Sequence, residues 1–313
     1  MPDASVKPSR SSVESRDGSA LASRFWAALW PLLVVLGMVI AIWYGAAVAL
    51  NASQVTERFA RDNVTYTTGQ WVEATWSMKR PLLPAPHQVG ADMFHTIFEE
   101  PVNSPQSLLY HTGVTSITTL TGFVLGALVG IFLAVLIVHF RTLERGVLPW
   151  IIASQAVPIL AIAPIVIVIF GNLGFSGLAP KAFISMYLCF FPVTVAMVQG
   201  LRSAGVSERE LLHTYAATQQ QAFWRLRLPA SLPFLMPSLR VGISAGLVGA
   251  IVAELPTGAQ AGLGARLLAG SYYGNTAQIW SALLMAALLG LALNGVMAAL
   301  ESHVLRPWRT VAK

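Results

Sequence analysis

The sequence is poor in charge. Only 11% of its 313 residues are Asp, Glu, Lys or Arg, and 55% are hydrophobic, whereas soluble domains carry roughly 25% charged residues. That balance excludes an ordinary soluble domain and puts the chain in the membrane class. A single cysteine, Cys189, lies in an apolar run, which rules out a disulfide framework and a cysteine-based metal cluster. Neither His-Glu-x-x-His nor Gly-x-x-x-x-Gly-Lys occurs, so the chain has no zinc-protease helix and no phosphate-binding loop. Asp, Glu, Lys and Arg are missing from the middle of every long apolar run. An ion-coupled transporter would place its relay there, and a channel would need a charged ring or a filter sequence.

What the chain does have is length in its apolar runs. Residues 25–50 are uncharged, and about 20 residues at roughly 1.5 Å each cross a hydrocarbon core of about 30 Å. A signal-peptide core would be only about 7 to 15 residues long, so this run reads as a retained transmembrane helix. Five more spans are predicted at residues 114–140, 149–170, 182–200, 237–255 and 277–300, making a core over 112–301. Gly122, Gly126 and Gly130 recur on one face of the second span, the spacing that lets two membrane helices approach closely. Pro158 and Pro164 predict that the third span is kinked and central, since backbone groups freed in lipid must find other partners. Residues 1–24, Ser-rich and mixed in charge, are expected to be a disordered tail. Residues 51–111, with ten charges and five prolines from Pro81 to Pro105, read as short helix and loop outside the membrane. Residues 302–313 form a second tail.

The basic residues set an orientation. With the N-terminus in the cytoplasm, the inner segments 1–24, 141–145, 201–240 and 301–313 hold 14 of the 20 Lys and Arg. The outer six are Arg58, Arg61, Lys79, Arg80, Lys181 and Arg266, four of them in the long first loop, where the positive-inside rule is weak. Both termini are therefore expected to be cytoplasmic. A net charge of +6 arises from this distribution and does not point to nucleic acid.

The longest polar insertion in the second half lies on the cytoplasmic side, between spans four and five. Glu210, Leu211, Leu212 and Tyr215 suit a short helix with one apolar face. Thr218 and Gln221 have the spacing of a capping box, and Ala222, Phe223 and Leu226 give a second helix its apolar side. Pro229 is expected to end that helix, with Leu228 biased away from the α region. A plain connection would need only about two to eight residues. The pattern resembles the loop of permease subunits of bacterial binding-protein-dependent ABC importers, which reads Glu-Ala-Ala, three residues, Gly, nine residues, Ile, one residue, Leu-Pro. Glu210, Leu211, Leu212, Ala216, Leu226, Leu228 and Pro229 occupy those positions with both spacings kept. Ala216 stands where the family has glycine, so the bend is expected to use ordinary dihedrals. The Leu82-Leu-Pro-Ala-Pro segment and Val157 to Pro164 resemble the nitrate, sulfonate and taurine group of these importers. An arginine common near Thr118 in that group is absent.

The resemblance implies an all-α integral membrane protein of six transmembrane helices, with the type I ABC importer permease fold and a cytoplasmic coupling-helix loop. It also implies a homodimer, cytoplasmic ABC ATPase subunits that hydrolyse the ATP, and a periplasmic solute-binding protein. Transport would be by alternating access in the bacterial inner membrane. No catalytic, metal or cofactor site is expected on this chain. The solute, nitrate-, sulfonate- or taurine-like or a pyrimidine or thiamine precursor, is not readable. Polar residues inside spans are candidates for a translocation path: Ser154, Gln155, Thr194 and Asn294. Glu254, before a glycine-rich outer loop like that of the family, is a candidate gate or loop anchor. It lies near the outer end of span five and Arg240 near the inner end, so either side chain could snorkel. An ion-coupled secondary transporter is the alternative reading. A rhomboid-like protease is a more distant one: Gly174-Phe-Ser-Gly177 matches its serine motif, but the sixth span has no histidine to activate Ser176.

Overall fold

The computed structural model describes residues 11–256 and 261–306. Thirteen α-helices occur among them: α1 (Ser11–Arg61), α2 (Thr68–Trp76), α3 (Pro86–Phe94), α4 (Leu108–His139), α5 (Arg141–Gly146), α6 (Leu148–Ser154), α7 (Ile159–Asn172), α8 (Leu178–Arg202), α9 (Val206–Thr214), α10 (Gln219–Ala222), α11 (Leu228–Glu254), α12 (Leu263–Tyr273) and α13 (Thr276–Val304). Single π-helical turns lie at His95–Glu99 and Phe223–Arg227. Five helices are long and apolar enough to cross a membrane, or six if the bent pair Arg141–Ser154 and Ile159–Asn172 is one span. The fold is all-helical, as the composition requires.

Two compact units divide between Val89 and Gly90, within the 51–111 stretch that reads as one segment by sequence. In the first unit, α1 is longer than the run at 25–50 and takes in residues 11–24, expected to lack order. Residues 1–10 and 307–313 of the expected tails lie outside the described residues. Here Asn51 is fully buried. Its amide donates to the carbonyls of Thr75 and Leu83, and its carbonyl accepts from the N–H groups of Leu82 and Leu83. One side chain thus ties the Leu-Pro segment to α1, satisfying backbone groups that the prolines keep out of a helix.

The second unit is built on α4, α8 and α11. Gly126 of α4 lies so close to α8 that a Cβ there would sit 2.5 Å from the Cβ of Cys189, and one on Gly246 of α11 would sit 2.6 Å from its sulfur. At this separation, side-chain donors reach across to backbone carbonyls. Ser185 Oγ donates to Gly246 O at 2.9 Å, and Cys189 Sγ to Gly242 O at 2.9 Å. Lipid is as apolar as the side chains, so close packing and such bonds hold membrane helices together. Toward the C-terminal ends of α4 and α8 the seam fills with Ala134, Ile137, Val193, Met197 and Leu201.

The expected single kinked third span is instead two helices at 104°. Pro158, at ψ 120°, is extended, because it lacks an N–H and restricts the residue before it. Pro164 is accommodated inside α7. The opposite correction applies at Pro229, which stops nothing. Leu228 is helical at φ −65°, ψ −49°, and the helix runs on through Pro233 and Pro237. The wider π turn just before Pro229 makes room where the proline ring would meet the carbonyl four residues back.

Gly126→Leu inserts a branched side chain into the α4–α8 seam, where overpacking costs about 1–3 kcal/mol or more. The expected outcome is loss of folded monodisperse chain on detergent extraction, with Gly113→Leu, which meets open space, unaffected.

Candidate functional site

Two places gather the sequence candidates. The first is the loop between α8 and α11. Glu208 caps α9, its Oε2 accepting the Gly205 N–H at 3.0 Å. The capping box at α10 closes as its spacing predicts: Thr218 Oγ1 accepts from Gln221 N at 3.3 Å, and Gln221 Oε1 from Thr218 N at 2.9 Å. Between them Ala216 sits at φ +52°, in the left-handed region. The expectation of ordinary dihedrals fails here, because the turn leaving α9 uses a left-handed residue to reverse direction whether or not that residue is glycine.

The loop has an inner and an outer face. Leu211 and Tyr215 are 57% and 77% exposed, as is Trp224 at 59%, and Glu210 is also exposed. Phe223 turns inward instead. It packs against the seam of α4 and α8 together with Leu228, its ring 5.3 Å from that of His139. Leu212, Leu226 and Pro229 are half-buried. Phe223 therefore anchors the loop to its own spans rather than to the outer face, and Trp224, which sequence reasoning passed over, takes its place there.

The second place is the C-terminal end of α11. Glu254 is fully buried and does not snorkel. A strap at residues 261–264 crosses over it, and three consecutive backbone N–H groups of that strap end on three side chains. Gly262 N donates to His111 Nδ1 at 3.0 Å, Leu263 N to Thr115 Oγ1 at 2.8 Å, and Gly264 N to Glu254 Oε2 at 2.9 Å. Thr115 Oγ1 in turn donates to the Glu254 carboxylate at 3.0 Å. Pro105 O takes the other His111 nitrogen at 2.9 Å, which fixes the ring as the Nε2–H tautomer. Lys181 Nζ donates to Ala261 O at 3.2 Å. Gly262 sits at φ +126°, and a Cβ on it would collide with the Glu254 carboxylate, so both its backbone angle and its space demand glycine. Just beyond, Arg266 is buried, donates to Gln106 O at 2.8 Å and has Nε without a partner among the described residues. Burial pulls its pKa down, against the carboxylates of Asp92 and Glu100.

The remaining candidates stand apart from Glu254 and its strap, in three separate places. Ser154 bonds back to Ile151 O and Gln155 is exposed, both at the α6–α7 break. Thr194 is fully buried and bonds back to Phe190 O, inside the helix seam. Asn294 donates to Ser244 Oγ at 2.7 Å beside a groove of about 460 Å³ that Arg240 also lines. Arg240 is paired with Glu301 at 3.2 Å.

Residues 126–307 match the family described as binding-protein-dependent transport system inner membrane component. The chain belongs to this family. It is the permease subunit of an ABC importer of a small solute, a multi-pass inner-membrane protein and a non-catalytic subunit; the family works with an ATPase and a solute-binding protein. The formylaminopyrimidine transport permease protein ThiX of Halalkalibacterium halodurans is 32% identical over 231 residues, 73% of this chain and 86% of that protein. The riboflavin transport system permease protein RibX of Chloroflexus aurantiacus is 30% identical over 227 residues, 72% and 80% of the two chains. The putative aliphatic sulfonates transport permease protein SsuC of Bacillus subtilis is 26% identical over 202 residues, 64% and 71%. The secondary-transporter and protease readings fall with this assignment.

His111 and Thr115 of the permease were not singled out by sequence. Their signal was a polar pair four residues apart at the N-terminal end of a span, which shares one helix face. Glu254→Ala removes the acceptor of Gly264 N and the partner of Thr115, and each unsatisfied buried group costs about 1–3 kcal/mol. Amide exchange at residues 262–264 is expected to quicken by roughly tenfold or more, while exchange in the α4–α8 seam stays slow. A strap exchanging at the unmodified rate would show that the clasp does not hold it. Ala216 offers the opposite sign. A left-handed L-residue costs about 1–2 kcal/mol, so Ala216→Gly should leave the melting temperature unchanged or raised, and Ala216→Val should lower it.

Proposed function

We propose that residues 206–227 are the docking element for the ABC ATPase, presenting Glu210, Leu211, Tyr215 and Trp224 to it, with Phe223, Leu226, Leu228 and Pro229 securing the element to the core. The observation that carries this reading is continuity. From Gln219 to Glu254 the chain is one helical span of 36 residues, about 54 Å at roughly 1.5 Å per residue. Movement of the docked loop would pass along α11 to the buried carboxylate and strap at its far end. ATP hydrolysed on the partner subunit would in this way drive alternating access, with Asn294, Ser154 and Gln155 as candidate path residues and Glu254 as the anchor of the outer closure. A second copy of the chain would complete the path. Relatives named for formylaminopyrimidine, riboflavin and aliphatic sulfonates favour a small polar organic solute, and mass spectrometry of the solute retained by the cognate binding protein identifies it.

Fully burying an exposed apolar side chain is worth roughly 1.5–3 kcal/mol, about tenfold or more in affinity. The double variant Leu211→Ala with Tyr215→Ala should keep its melting temperature yet release the ATPase on detergent extraction, with transport falling alongside. Phe223→Ala should instead lower the melting temperature. Co-purification of the double variant at normal stoichiometry would overturn the docking assignment.

The cytoplasmic placement of both termini rests on the basic-residue distribution. Cys189 is buried, so introduced thiols stand out. In intact cells a membrane-impermeant thiol reagent should label Ser104→Cys and spare Thr218→Cys; labelling of the latter would reverse the orientation.

A further inference from the structure

Three arginines from three separate elements line one pocket beside the coupling loop. Arg202 ends α8, Arg209 lies on α9 and Arg227 ends the π turn before α11. With Val138, Leu201 and Ala204 they enclose about 330 Å³, room for about ten waters. Among the described residues only one carboxylate answers them. Glu144 takes Arg202 Nη1 at 2.8 Å, Arg209 Nε goes to the backbone carbonyl of Gly205 at 3.3 Å, and among the described residues the guanidinium of Arg227 makes no hydrogen bond or ion pair. Like charges gathered in one pocket repel, and the arrangement leaves several N–H donors aimed at a space with too little negative charge.

The depth of the pocket is also informative. Val138 and Leu201 are the next-to-last residues of α4 and α8. The pocket therefore opens where two apolar spans give way to the polar loop, the level at which lipid headgroups lie. Planar guanidinium forks suit an oxyanion with several oxygens, because each fork engages two of them at once.

We propose that this pocket is a phosphate-type oxyanion site, occupied by the headgroup of an anionic phospholipid of the inner leaflet, and that the bound headgroup neutralises the arginine cluster at the root of the coupling loop. Free phosphate shares the chemistry but not the depth. Arg209 and Arg227 lie within the proposed docking element, 206–227, but line the pocket rather than the exposed face of Leu211 and Tyr215, so anion binding and ATPase release are separate readouts.

The test uses the full chain, purified in detergent and stripped of lipid. Phosphatidylglycerol and phosphatidylcholine are titrated separately by native mass spectrometry, and inorganic phosphate by calorimetry. Phosphatidylglycerol should bind at least roughly tenfold tighter than phosphatidylcholine, and Arg209→Gln with Arg227→Gln should weaken it by roughly tenfold or more. Arg141→Gln with Arg225→Gln, which removes basic residues that do not line the pocket, should leave it unchanged. Arg209→Lys with Arg227→Lys keeps the charge but not the forks and should bind more tightly than the Gln pair while staying below the unmodified chain, which separates charge loss from misfolding. Phosphate binding that depends on Arg209 and Arg227, without lipid preference, would support the oxyanion site and assign it to a free anion. Equal losses in the control pair would reduce the site to diffuse surface charge and overturn the proposal. So would absence of both lipid preference and phosphate binding. Release of the ATPase by the Gln pair with anion binding intact would hand the pocket to the protein partner and overturn it as well.

Discussion

The close approach of α4, α8 and α11 is the constraint on which the rest depends. It exists because glycines on α4 and α11 face Ser185 and Cys189 on α8, leaving space that any larger side chain would fill. In water, burial of apolar surface would bring such helices together. In lipid that drive is weak, and helices associate through dense packing and short bonds that become available only when backbones nearly touch. Ser185 and Cys189 reach carbonyls of α11 for this reason. The seam fixes α11, and α11 fixes everything attached to its ends.

At its N-terminal end α11 continues backward through a π turn into the loop from α8, without the break that Pro229 leads one to expect. At its C-terminal end it stops at Glu254, whose carboxylate is covered by a strap of backbone N–H groups. A carboxylate so deeply buried is stable only where donors surround it. Here Thr115 and Gly264 supply them, and His111 extends the arrangement to Gly262. The loop and the buried carboxylate are thus joined by one helix, held along its length by a seam that tolerates little change.

Much of this was legible in the residues. Apolar run lengths located the membrane helices, because hydrocarbon thickness admits few solutions for a hydrogen-bonded backbone. The capping box at Thr218 and Gln221 was legible because it is a local bond with a set spacing. Gly122, Gly126 and Gly130 marked the packing face for the same reason of periodicity. The prolines were read less well. Pro158 breaks its span outright, and Pro229 does not, since a wider helical turn beside it removed the clash.

By itself the sequence determined the class of the protein, the number of its long apolar helices to within one and the polar loop between the fourth and fifth, all of which follow from local periodicity and from the cost of placing polar groups in lipid. Only the tertiary structure decided which side chains face where. Phe223 turns inward while Trp224 faces out, one residue apart on the same helical turn, because the first meets His139 across the seam. Glu254 is sealed rather than exposed because His111 and Thr115, more than a hundred residues earlier in the chain, arrive beside it. Contacts of that kind depend on helices distant in sequence settling at one separation, and no spacing within a single helix encodes it.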